Sequence, residues 1–203
     1  MSFVMFAGCV YFGLMIGEKR SLDVNGNIAS DNEEKVFRVN ENVVIAHGGY
    51  SGIIDVVIKD IVNCDMPDDL TFDQCVNNLQ YNSQRIQNSY VEVSKEMKIN
   101  TCIGIMGKKN KCIHFFLISF TNGNISYSEK EFTTEDDTQI CFLASGKNEN
   151  LGKLFMTEFY KMPVYSPENL QSVFQYIVDD ECTHDISINN QLKCEVILKD
   201  DGL

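Results

Sequence analysis

The chain of 203 residues is 44% hydrophobic and 23% charged, with 3 prolines and 13 glycines, which excludes collagen, low-complexity disorder and a coiled-coil rod. Its 17 Lys and Arg against 29 Asp and Glu leave a formal net charge of −12. No basic run with interleaved aromatics offsets that charge, so nucleic acid is not an expected partner.

At this length one domain over residues 1–203 is expected, with a core large enough to need no staples. Phe3 to Gly17 (FVMFAGCVYFGLMIG) is apolar, but no Lys or Arg precedes it and it is too short to span a bilayer. Phe6-Ala7-Gly8-Cys9 resembles a lipoprotein cleavage site yet lies too close to Met1 for a signal segment. Two buried strands, 2–7 and 9–17 with a break near Gly8, account for the run without membrane or export. A polar stretch, 17–34, follows and holds an Asn25-Gly26 turn. Lys35–Val39 and Val43–His47 read as a strand pair that Gly48-Gly49 ends. From Ser51 to Cys64, Ile53, Ile54, Val57, Ile58 and Ile61 recur at helical spacing.

Thr71-Phe72-Asp73-Gln74 is a capping box, with hydroxyl and amide satisfying helix-end N–H groups reciprocally. Behind it Phe72, Cys75, Val76, Leu79, Ile86, Tyr90, Val93 and Met97 form one apolar stripe, expected to pack on a sheet. Strands are expected over 101–106, 112–120, 125–128 and 140–144, then a helix over about 151–160. Ser166-Pro167 opens another helix, Ser as N-cap and Pro at its first position, running to about Asp180. Leu192–Leu198 closes as a strand. Four strands, two helices, four strands, two helices and one strand make an α+β order, with helix pairs covering both sides of a sheet sandwich.

Eight cysteines are scattered, mostly in apolar runs, with no CxxC pair. That argues against a disulfide framework or a structural zinc site and for small buried hydrophobes in a reducing, cytoplasmic setting. His47, His114 and His184 show no HExxH or paired ligand spacing, and no phosphate loop occurs, so neither metal nor cofactor is expected. Glu135-Asp136-Asp137 and Asp179-Asp180-Glu181 read as solvated faces.

The order of elements resembles the four-layer αββα sandwich of the N-terminal-nucleophile (Ntn) hydrolases, in their proteasome β-subunit and heat-shock-locus peptidase branch. In that family a nucleophile opens the first strand, an acidic residue ends the second, a Lys opens the third and a small-Gly pair ends the fourth. Here those places hold Ser2, Glu18-Lys19-Arg20, Lys35 and Gly48-Gly49; Ala144-Ser145-Gly146 and Ser187 match later positions. The likeness runs over about residues 2–198. The chain departs from the family in carrying Ser rather than Thr first, Glu18 rather than Asp, and Ile188-Asn189 in place of Gly-Gly. Near Ser187 the family's Asp has two substitutes, His184 three residues before it and Asp185 one residue out of step.

The resemblance implies a serine nucleophile at Ser2 with its own α-amino group as base, once Met1 is removed. A serine hydroxyl needs such a base, and an α-amine titrates at about 7.7–8.0 in model peptides. Lys35 would keep that amine neutral and Glu18 would hold the Lys35 charge. The Gly49 N–H would donate to the oxyanion, where one lost donor costs about 10²–10³ in rate. Ser145 and Ser187 would orient amine and water. It further implies a proteolytic enzyme working on peptide or unfolded-protein substrates, a homo-oligomeric ring, and an ATPase as the partner to look for. Two other readings stand beside it: a catalytically silent proteasome-like subunit with Met1 retained, and a non-proteolytic amide hydrolase on the same scaffold. Each residue also has an ordinary role open to it. Ser2 is a common second residue, Lys35 a strand-end charge, Gly48-Gly49 a strand-to-helix bend, and Ser145 a helix cap.

Overall fold

A computed structural model describes residues 2–23, 25, 27–96, 100–135, 138–145, 151–162, 164–185 and 188–199, with backbone alone for Ser2, Glu96 and 143–145. The chain begins with an antiparallel pair, β1 (Ser2–Gly8) and β2 (Phe12–Glu18). A small pair, β3 (Ser21–Leu22) and β4 (Ile28–Ser30), leads to β5 (Val36–Asn40) and β6 (Val43–Gly48). Helices α1 (Ser51–Val62) and α2 (Phe72–Glu96) come next, then β7 (Asn100–Lys109), β8 (Cys112–Thr121), β9 (Asn124–Phe132) and β10 (Gln139–Ser145). Helices α3 (Leu151–Phe159) and α4 (Pro167–Glu181) precede β11 (Leu192–Leu198).

The strands form a four-stranded sheet, β10-β1-β2-β11, and a five-stranded sheet, β5-β6-β7-β8-β9. Alternation along β1 and β2 decides the layering. Phe3, Met5, Leu14 and Ile16 face α3 and α4, where they meet Phe155, Leu170, Phe174 and Ile177. Val4, Phe6 and Met15 face the other sheet and meet Val44, Ala46, Met106 and Phe115. The outer face of the second sheet, with Ile45, Ile103, Ile105 and Phe116, is covered by Val57, Ile61, Cys75 and Leu79 of α1 and α2. The result is the expected αββα sandwich. It also explains the unbroken apolar run at the start, because a central strand covered on both faces has no side to leave polar.

Both predicted helix caps form. Gln74 N–H donates to Thr71 Oγ1 at 3.3 Å while Gln74 Oε1 accepts the Thr71 N–H at 2.8 Å. Ser166 Oγ accepts the Asn169 N–H at 3.3 Å, with Pro167 just inside α4. At one margin of the sandwich Arg38 of β5 reaches across to β11, donating from Nε to Glu195 Oε2 at 2.8 Å and from Nη2 to the Val196 carbonyl at 2.7 Å.

Four expectations need correction. The break between the first strands falls at residues 9–11, where the Cys9 N–H meets the Phe12 carbonyl at 2.9 Å, and not at Gly8. The polar stretch folds into β3 and β4 around Asp23, whose carboxylate accepts the Asn25 and Asn27 N–H groups, each at 2.8 Å; Gly26 lies outside the described residues. Val93 is 40% exposed rather than core, and Met97 lies outside the described residues. Among the cysteines, all free, Cys9 and Cys75 are buried and the other six half-buried.

The two sheets approach closely at Gly104, where a Cβ would stand 2.4 Å from Phe6 Cζ and 3.1 Å from Phe115 Cε2. Gly104→Ala should overpack this middle layer and cost about 1–3 kcal/mol. Urea unfolding measures it, and an unchanged midpoint would mean that the Phe6 ring yields freely.

Candidate active site

Glu18 ends β2 and Lys35 stands just before β5, so the two hairpins bring their termini together. Lys35 Nζ donates to Glu18 Oε1, and the two side chains are 2% and 0% exposed. Isolated, such a pair would be expensive to bury. Here each group has further partners. Glu18 Oε1 accepts the Phe3 N–H at 3.2 Å, Glu18 Oε2 accepts the Arg20 N–H at 2.7 Å, and Lys35 Nζ also donates to the Arg20 carbonyl. Burial pulls the Lys35 ammonium below the ordinary lysine range, with the Glu18 charge pulling it back up. Beside the pair the packing is tight: a Cβ at Gly17 would stand 3.1 Å from both Val4 and Val36.

The predicted site residues fall as follows. Ser2 opens β1, and the peptide N–H immediately after it is the one bound by Glu18. Ser145 ends β10 directly opposite Ser2 in the β1–β10 register. Gly49 follows β6 with φ +118°, a conformation that favours glycine. It is tied to Lys35 through β6, where the His47 N–H donates to the Lys35 carbonyl at 2.8 Å. Ser2, Glu18, Lys35 and Ser145 thus share one end of the sheets, with Gly49 two residues from a Lys35 contact. Ser187 lies outside the described residues, as do Met1 and Gly146. His184 and Asp185 sit in the turn after α4, their N–H groups on the Glu181 carbonyl.

Three features were not read from the sequence. Asn189, 6% exposed, accepts the Lys19 N–H at 3.1 Å and donates to the Asp31 carbonyl at 3.0 Å. Arg20 donates to Asp31 Oδ1 at 2.5 Å and to the Ile188 carbonyl at 3.2 Å. Together these latch residues 188–189 and Asp31 onto the end of β2. The departure from Gly-Gly at 188–189 was the available signal: Ile188 is a core residue and Asn189 a clamp. His47, 7% exposed, lies 6.3 Å from the Phe37 ring. Burial pushes its imidazole down to about 4, with the Lys35 charge adding to the effect and Glu33 and Asp55 opposing it. Among the described residues no group of three or more His, Cys, Asp or Glu is placed to hold a metal ion, and no helix is long and apolar enough to cross a membrane.

Two predictions follow from burial. Glu18→Ala leaves the Lys35 charge buried without its partner and should cost about 3–5 kcal/mol in chemical denaturation; a cost under 1 kcal/mol, on the order of an exposed pair, would contradict the burial. For His47 the unfolded chain binds a proton that the folded chain refuses, so stability is complete above pH 6.5. It is lost as pH falls from 6.5 toward about 4, by up to about 3 kcal/mol. His47→Gln should flatten the fall in melting temperature between about pH 7 and pH 4.5, and identical profiles would refute the assignment.

A scan of protein-family models and a search of curated proteins both found no match. Among solved structures the chain is similar to eukaryotic HslV from Trypanosoma brucei, at 13% identity and TM-score 0.54, over 97% of this chain and 99% of that one. It is similar to the helical assembly of the Anbu complex from Pseudomonas aeruginosa at 12% identity and TM-score 0.67, over 98% and 82% of the two chains. It is also similar to an Anbu Gly-1 mutant from Hyphomicrobium sp. strain MC1 at 13% identity and TM-score 0.62, with the same coverage. At these identities the likeness is one of architecture, and the layers, sheet order and helix pairs agree with it: the chain has the proteasome-like Ntn-hydrolase fold.

Proposed function

We propose that the chain is a proteasome-type N-terminal serine peptidase or amidase, a single domain over residues 1–203 acting in the cytoplasm as a homo-oligomer on peptide or unfolded-protein substrates. The observation that supports this reading is the contact between the Phe3 N–H, directly after Ser2, and the buried Glu18–Lys35 pair.

After removal of Met1 the Ser2 hydroxyl attacks the substrate carbonyl carbon while its proton passes to the Ser2 α-amine. The adjacent Lys35 charge keeps that amine neutral near pH 7–8, about its ordinary range. The oxyanion takes a hydrogen bond from the Gly49 N–H. Collapse of the tetrahedral intermediate breaks the C–N bond, the leaving amine takes the proton from the α-ammonium, and an ester to Ser2 remains. Water, deprotonated by the same amine, hydrolyses that ester and frees Ser2. Ser145 and Ser187 are assigned to orient the amine and the water. Exposed Tyr160, Val164 and Tyr176 around α3 and α4 offer apolar surface for a second copy and support the oligomer. An ATPase that delivers substrate is the partner this reading would pair with it.

Intact mass and turnover of an unfolded peptide test the proposal. Loss of one methionine with turnover that falls at least about 10³-fold in Ser2→Ala supports it. Turnover surviving Ser2→Ala overturns it. A retained Met1 without turnover assigns the chain to the silent-subunit class, and cleavage of small amides alone to the non-proteolytic class.

A further inference from the structure

We propose that Thr101 is a positioning residue for the Gly49 peptide: its buried hydroxyl fixes the turn that aims the Gly49 N–H. The inference rests on the proposed role of that N–H as oxyanion donor and adds the group that holds it in place. The β6–β7 ladder pairs Val43 with Gly107 through to Gly48 with Cys102 and stops there. One more step would set Gly49 opposite Thr101. Instead Gly49 turns to φ +118°, and the next N–H, that of Tyr50, is taken by a side chain: Thr101 Oγ1 accepts it at 2.9 Å.

The hydroxyl thus stands in for the main-chain acceptor that the ladder gives up. Tyr50 is the N-cap of α1 and has no side-chain cap bond of its own, so without Thr101 Oγ1 its N–H would lose this acceptor. Contact is close as well as polar. A Cβ at position 49 would stand 2.3 Å from the Asn100 carbonyl oxygen, 2.6 Å from Thr101 Cα and 2.7 Å from Thr101 Oγ1. Thr101 itself is 1% exposed. The peptide before Gly49 is pinned by the last ladder pair and the peptide after it by the hydroxyl. The Gly49 N–H belongs to the first of these peptides, and with the second also held the first cannot swing about Gly49, which is the preorganisation an oxyanion donor needs.

Thr101→Val keeps the shape and removes the acceptor; Thr101→Ser keeps the acceptor. In protein lacking Met1, Thr101→Val should lower kcat about 10- to 100-fold with KM within about twofold, as expected for an interaction made in the transition state. Thr101→Ser should restore kcat. Equal losses in Val and Ser variants, or no loss in Val, would overturn the inference. Thr101→Ala, which also lacks the oxygen but adds no crowding, serves as the second variant should Val not fold. Amide exchange reads the same bond without turnover. Thr101→Val or Ala should speed Tyr50 exchange at least about tenfold and move the Gly49 amide resonance, Ser doing neither. If the parent protein is inactive, the hydrolase reading falls while this measurement still decides the Thr101 bond. Unchanged Tyr50 exchange and an unmoved Gly49 resonance would refute it.

Discussion

The burial of Lys35 against Glu18 is the constraint from which the rest of the site follows. Two opposite charges with 2% and 0% exposure survive in a folded core only when their remaining hydrogen-bonding capacity is met. The chain meets it with main-chain groups from two places, the Phe3 N–H of the first strand and both main-chain groups of Arg20 just beyond the second. The start of β1, the end of β2 and the start of β5 are therefore held to one another by electrostatics, whatever their side chains do elsewhere. The latch of Asn189, Asp31 and Arg20 reinforces this from the far end of the sequence.

The sandwich supplies the low-polarity frame that gives the pair its strength. Sheet faces packed on both sides keep water away from β1, β2 and β6, and the same packing depresses the His47 and Lys35 charges. The cost is rigidity along the strands and at their ends, where Gly104 in mid-strand and Gly17 and Gly49 at the ends mark places with no room for a methyl group at ordinary contact distance. A catalytic arrangement benefits from that rigidity, because donors fixed before substrate arrives need no reorganisation later.

Much of this was legible because it rests on local pattern. The two-sided burial of β1 and β2 shows as an apolar run, α1 as helical spacing of isoleucine and valine, and the starts of α2 and α4 as Thr71–Gln74 and Ser166-Pro167. Glu18 and Lys35 could be picked out only through the resemblance to the Ntn-hydrolase pattern, since by themselves they read as a turn and a strand-end charge. What stayed hidden depends on contacts between distant positions. Asn189 meets Lys19 across 170 residues, and a single buried hydroxyl at Thr101 leaves no motif at all. The β3–β4 pair is too short and polar to carry a period. Val93 keeps the stripe of α2 but lines an open groove with Tyr50, Ile53 and Ile86 rather than the core, since periodicity gives the face of a helix and not where its cover ends.

One feature of the second sheet bears on how such molecules meet. Its outermost strand, β9, leaves Ser126, Tyr127, Ser128, Glu129 and Glu131 exposed, and among the described residues no further strand lies beside it. Acidic side chains along an open margin discourage another backbone from zipping onto it. Fibre-like growth by strand addition is thus disfavoured on that flank.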